Sequence, residues 1–211
     1  MGEREFGWVP LKDVTLTNET ATTETRPRAQ GPFSRFEADL HLFGLKGSVF
    51  KCIETEDDVK VVYSFSYNGQ LTSSRSSWGA ELYENPQRDA NGRIIRYGDD
   101  TPNDMDGEVD YHYITWRSDA PDYVESVNFS GPVCDVSEKY FYENNEKPYL
   151  ITKIVQESGD YCPGGEITFT YLSFDDRGNW TRRLVVRKYK TEDGGTITEK
   201  ATQNRVISYH K

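Results

Sequence analysis

The feature that most limits the fold of this chain is a recurring turn. A glycine, one further residue and an apolar residue return at Gly47-Ser48-Val49, Gly69-Gln70-Leu71, Gly92-Arg93-Ile94, Gly107-Glu108-Val109, Gly165-Glu166-Ile167, Gly178-Asn179-Trp180 and Gly195-Thr196-Ile197. The first three lie roughly 22 residues apart, the length of one β-hairpin with its turns. Such triplets also arise by chance, so their surroundings carry the weight. Asn-Gly occurs at Asn68-Gly69 and Asn91-Gly92. Asn tolerates positive φ and Gly prefers it, which is what a tight hairpin needs. Aromatic segments run into these turns, as in VVYSFSYNGQL and FTYLSFDDRGNW. In the first of them Val61, Tyr63, Phe65 and Tyr67 alternate with Val62, Ser64, Ser66 and Asn68. A two-residue period of this kind marks a half-buried strand.

The same reading extends along the chain. YHYITW (111–116) meets PDYVESVNF across Asp119-Ala120, and EKYFYE (138–143) meets KPYLITKIV across Asn144-Asn145. RLVVRKYK turns through Asp193-Gly194-Gly195 toward the closing RVISYH. Aromatics make up 13 % of the chain, including 14 Tyr, which suits half-exposed strands whose amphipathic rings face water at little cost. The expected fold is all-β: an antiparallel meander of repeated β-hairpins, about ten strands, forming one large, twisted or partly curled sheet. Residues 1–36 read as an N-terminal strand and linker, rich in Thr, Glu and Pro, and residues 37–211 as the hairpin-repeat domain. Phe33, Phe36, Leu40 and Phe43 allow a short helix, and the same stretch also permits a strand.

Charge narrows the partners. The formal net charge is -10 and basic residues form no block, which argues against nucleic acid. No apolar run approaches the roughly 20 residues of a membrane span. The N-terminal stretch lacks a basic region followed by an apolar one, so the chain is either cytoplasmic or has lost a signal peptide. Three cysteines allow at most one disulfide, and Cys134 with Cys162, both in turn-like settings, is the favoured pair over Cys52.

YLSFDDRGNWTRRL resembles the Tyr-Asp repeat of rearrangement-hot-spot (RHS) proteins, with RDANGRIIRY and YSFSYNGQLTS as degenerate copies. LFGLKGSVFKC, together with GNWTRRL and RVISY, resembles small envelope proteins of anaerobic Gram-negative gut bacteria that carry such repeats. The resemblance spans roughly residues 43–211. It implies an all-β repeat fold outside the cytoplasm, periplasmic or at the cell surface, and it brings no catalytic residue. With so few copies, an open or partly curled sheet is expected rather than a closed shell.

The acidic stretch YGDDTPNDMDGEVDY offers Asp99, Asp100, Asp104 and Asp106 as oxygen ligands for a non-standard Ca²⁺ site, or simply a solvated hairpin loop. An EF-hand frame fails, because Gly107 at its sixth place puts Pro102 first and Tyr113 last. His41, His112 and His210 are scattered and have no cysteine at ligand spacing, so zinc is not expected. No G-x-S-x-G elbow exists. Exposed aromatics are the better candidates: Trp78 in a Ser-rich loop, and Trp116 with Arg117 at a strand end, either of which can stack on a sugar, anchor a protein, or fold over its own hairpin's core. Trp180 is expected to face the core. The reading is a non-catalytic binding or interaction module of the cell envelope, with a glycan or protein as ligand and no cofactor. An intracellular immunity-type protein whose acidic surface meets a basic toxin is the alternative, and an uncharacterised hydrolase the third.

Overall fold

The computed structural model describes residues 37–99, 110–120, 123–130, 135–144, 146–157, 164–191 and 193–211. The proposed strand within residues 1–36 lies outside them. One short helix, α1 (Glu37–Leu42), precedes twelve strands: β1 (Val49–Glu56), β2 (Val59–Phe65), β3 (Leu71–Ser76), β4 (Glu84–Arg88), β5 (Ile94–Asp99), β6 (Asp110–Trp116), β7 (Val124–Ser130), β8 (Asp135–Phe141), β9 (Lys153–Glu157), β10 (Gly165–Phe174), β11 (Trp180–Lys190) and β12 (Thr196–Tyr209). All belong to one antiparallel sheet in the order β3-β2-β1-β12-β11-β10-β9-β8-β7-β6-β5-β4. The hairpin meander expected from the sequence is thus the fold, with twelve strands rather than the expected ten or so.

Five hairpin turns share one backbone geometry. They run Ser66–Gln70, Ser76–Ala80, Asp89–Arg93, Asp175–Asn179 and Thr191–Gly195. In each, the first residue's N–H donates to the carbonyl of the fifth, and the N–H of the fourth, a glycine, donates back to the first. Those glycines, Gly69, Gly79, Gly92, Gly178 and Gly194, have φ between 82° and 93°. This is a type I turn closed by a left-handed residue, and only glycine takes that place without strain. In four of the turns the first side chain, Ser66, Ser76, Asp89 or Asp175, also accepts from the fifth N–H at 2.9–3.2 Å. The sequence triplets therefore located real turns at Gly69, Gly92 and Gly178. Gly165 instead lies inside a strand, and Gly194 rather than Gly195 holds the positive φ of the last turn.

Strand order forces curvature. β3 and β4 are the two edges of the sheet, and a flat sheet of this width would hold them about 50 Å apart. The seven residues between them (77–83) reach no more than about 28 Å. The sheet accordingly curls with one face inward, and a single buried cluster joins residues from both ends of the strand order: Phe65 and Leu71 from β2 and β3, Ile94 and Tyr97 from β5, Ile114 and Trp116 from β6. A chain of ring contacts crosses the seam from Tyr63 to Tyr83 (6.5 Å), Tyr97 (4.2 Å), His112 (4.5 Å) and Phe129 (5.0 Å). No β3–β4 ladder closes a barrel among the described residues. The connection instead folds back on β3 through an Arg75–Glu81 bridge and the Leu82 N–H to Ser74 carbonyl bond.

α1 locks this seam. Asp39, fully buried, accepts from the Leu71 N–H of β3 at 2.7 Å and from both terminal nitrogens of Arg88, on β4, at 2.7 and 2.8 Å. One carboxylate on the helix thus ties the two edges together.

Candidate functional site

The inward face is apolar at the α1 end and charged toward the other. Register explains how. Cys52, Glu54 and Glu56 alternate along β1; Glu54 lies opposite Arg205 of β12 and Glu56 opposite Gln203, which in turn faces Arg183 of β11. Alternation sends all of them to the same side as the core. Arg205 donates to Glu54 Oε2 at 2.8 Å and to the Phe43 carbonyl at 2.8 Å, and its guanidinium lies 3.7 Å from the Trp180 ring centroid. Arg183 lies 4.2 Å from the same ring and 3.8 Å from Glu54. Trp180, only 1 % exposed, therefore faces the core as expected, with two arginines packed against it.

Two residues further along β1, Glu56 accepts from both terminal nitrogens of Arg187, one at 2.7 Å, and from the side-chain amide of Gln203. Burial pushes both Glu54 and Glu56 toward the neutral form. The arginines around Glu54, and the hydrogen bonds from Arg187 and Gln203 to Glu56, more than offset it, so both carboxyls sit below the ordinary glutamate value. Burial raises the Cys52 thiol to about 11, which keeps it protonated.

Above this network opens a cavity of about 760 Å³. Glu54, Glu56, Arg187 and Gln203 supply its polar wall, Val59, Val61 and Ala201 its apolar one, and Asp57, Asp58, Glu199 and Lys200 complete it. Asp57 and Asp58 form the two-residue turn between β1 and β2, where Asp57 holds a φ of 49°. The ionised carboxylates and their partners present a fixed pattern of donors and acceptors beside an apolar strip, a surface suited to recognition.

The sequence-derived candidates fall elsewhere or apart. Trp78 is 49 % exposed. It occupies the place before the glycine of its turn, where the other four turns carry Asn68, Asn91, Arg177 and Asp193. The turn does not require an aromatic there. Ser77, beside it, accepts from the Lys60 N–H at 3.3 Å, which sets Trp78 at the same end of the sheet as the cavity. Trp116 is not an exposed ring: it is 9 % exposed and its indole N–H donates to the Ile94 carbonyl at 2.9 Å. Alternation in β6 turns His112, Ile114 and Trp116 inward together. Arg117 is surface-exposed and paired with Asp119 at 2.7 Å, at the opposite end of the strands from the cavity.

Asp100, Asp104 and Asp106 lie outside the described residues, and Asp99 is placed only by its backbone, opposite Asp110. Cys134 and Cys162 also lie outside. Among the described residues no group of three or more His, Cys, Asp or Glu is arranged to hold a metal.

Sequence reasoning missed Glu54, Glu56, Arg183, Arg187, Gln203 and Arg205. Their only signal was regular alternation in strands whose charged side faces in. No known family, curated protein or solved structure matches this chain.

Proposed function

We propose that this chain is a non-catalytic binding module that takes its ligand, a glycan or a protein segment, at the polar end of its inward face. The observation that carries this reading is the cavity beside the Glu56–Arg187–Gln203 triad. Its polar groups are locked by one another before any ligand arrives, so little ordering entropy is lost on binding. Because Glu54 and Glu56 are held ionised, they serve as acceptors rather than as proton donors. Trp78 offers a ring at the same end. The likeness of DDRGN to Tyr-Asp repeats supports a place in the cell envelope.

The test is a screen of the purified chain against a glycan array and a panel of basic peptides. A ligand whose binding is abolished by Val61→Arg, which fills the cavity, and weakened by Trp78→Ala supports the reading. Absence of any ligand, or binding untouched by Val61→Arg, overturns it. The net charge of -10 favours the second reading, a partner of basic toxins. In that case the peptides bind, the glycans do not, and affinity falls steeply with salt.

A further inference from the structure

The outer face of the sheet carries a second feature, at β5–β9. In β6 the residues that alternate with His112, Ile114 and Trp116 are Tyr111, Tyr113 and Thr115, and they face out. Tyr111 and Tyr113 are 38 % and 42 % exposed. They add nothing to the buried cluster, whose contribution from β6 is Ile114 and Trp116. Side chains two apart on one strand stand about 7 Å apart, so the rings form a short row. Arg96 of β5 lies directly opposite Tyr113, with its guanidinium carbon 3.8 Å from the Tyr111 ring centroid and 5.6 Å from that of Tyr113. Its Nε is buried and makes no hydrogen bond, so contact with the rings is what holds this side chain. Gly98 lies opposite Tyr111 and puts no side chain beside that ring.

On the other flank the rings look onto short polar residues. Tyr111 pairs with Ser130 and Tyr113 with Asn128, and these pair in turn with Asp135 and Ser137 of β8. Ser137 pairs with Glu157 of β9. Asn128, Ser130, Asp135, Ser137 and Glu157, with Phe129 and Val136 between them, line a shallow depression of about 370 Å³ next to the two rings. Asn128, Ser130 and Ser137 make no side-chain hydrogen bond among the described residues. Glu157 is paired with Lys139 at the far wall.

A row of exposed rings beside a trough of uncommitted hydroxyl and amide groups matches one chemistry. The ligand must offer C–H faces to the rings and many hydroxyls to the trough. We propose that this outer groove binds a neutral glycan chain, stacked on Tyr111 and Tyr113 and hydrogen-bonded through Asn128, Ser130 and Ser137. Charge selects neutral over anionic ligands: Asp135 and Glu157 line the trough, and the chain as a whole is acidic. A strand of nucleic acid would also stack on the rings, but its phosphates would meet those carboxylates. This site is separate from the inward cavity and does not depend on it.

The experiment is native electrophoresis of the full chain through gels cast with an α-glucan, a β-glucan, a xylan or a mannan. At least one gel is expected to retard the protein. Tyr111→Ala/Tyr113→Ala should weaken that retardation roughly tenfold or more, as loss of central aromatic anchors does. Tyr111→Phe/Tyr113→Phe, which keeps the rings, should retain most of it. Ser137→Arg, which fills the trough, should abolish it, and it decides the matter should the double alanine variant not fold. Val61→Arg, in the inward cavity, should leave retardation unchanged, so the two sites fail or succeed separately. The proposal is overturned by retardation in none of the gels, by full retention in Tyr111→Ala/Tyr113→Ala or in Ser137→Arg, or by a loss confined to Val61→Arg.

Discussion

Asp39, fully buried, and Glu54, part-buried, are both carboxylates held by arginine, yet they do different work. Asp39 joins parts of the sheet that share no ladder: its partners are the Leu71 N–H on one edge and Arg88 on the other. Glu54 sits between β1 and β12, which already exchange a full set of backbone hydrogen bonds, and there it neutralises Arg205 and Arg183. At the seam Asp39 and the rings packed across it do the joining, whereas the charged wall is closed by its backbone and uses its ion pairs to keep guanidiniums tolerable inside. A buried ion pair therefore contributes most to architecture where no ladder does the joining.

Removing Asp39 should have the largest effect. Asp39→Ala leaves Arg88 without its carboxylate and the Leu71 N–H without an acceptor, and should cost about 3–5 kcal/mol in urea unfolding. A cost equal to that of the wall variants would erase the distinction between seam and wall. Arg205→Ala should cost about 3 kcal/mol, since Glu54 keeps only the more distant Arg183. Its circular dichroism should retain the full strand signal, because the β1–β12 ladder persists.

Glu56→Gln should cost about 1 kcal/mol at neutral pH. Its clearer signature is in acid. Folded Glu54 and Glu56 titrate below unfolded glutamate, which lies near 4.3, so their contribution is complete above about pH 5 and is lost as the pH falls through their lower folded values. Glu56→Gln should flatten that acid limb in a pH series of thermal melts, and Glu54→Gln should flatten it further. Trp78→Ala should change stability by less than about 0.5 kcal/mol, because the other turns of the same geometry hold polar residues at that place. A large loss there would show that the ring supports the fold and remove it from the binding reading.

Much of the architecture was legible in the chain. Gly69, Gly92 and Gly178 each mark a turn, and the strand pairs flanking Asp119-Ala120 and Asn144-Asn145 form as read. The turn in FDDRGNW was also legible, though not its tertiary role. Asn179, fully buried, accepts from the Lys46 N–H at 2.7 Å and donates to the Lys46 carbonyl and to the Tyr209 hydroxyl. It thereby pins residues from both ends of the described chain to one turn. For Trp116, with Arg117 beside it, both a binding ring and a ring folded over its own hairpin were open from the sequence, and alternation along β6 commits it to the core side.

Local chemistry alone determined the hairpins, because glycine, asparagine and a two-residue period act between neighbours along the chain. Periodicity also sorts each strand's side chains into two faces, but it does not say which face ends inside. In β12 the usual apolar rule points the wrong way: Val206 is 65 % exposed while Arg205 is 7 % exposed. Only the pairing of β1 with β12, and a connection too short for a flat sheet, decide that Glu54, Glu56, Arg183, Arg187 and Arg205 share an interior. Those are contacts between residues more than a hundred positions apart, set by closure of the whole sheet and by mutual neutralisation of the charges it encloses.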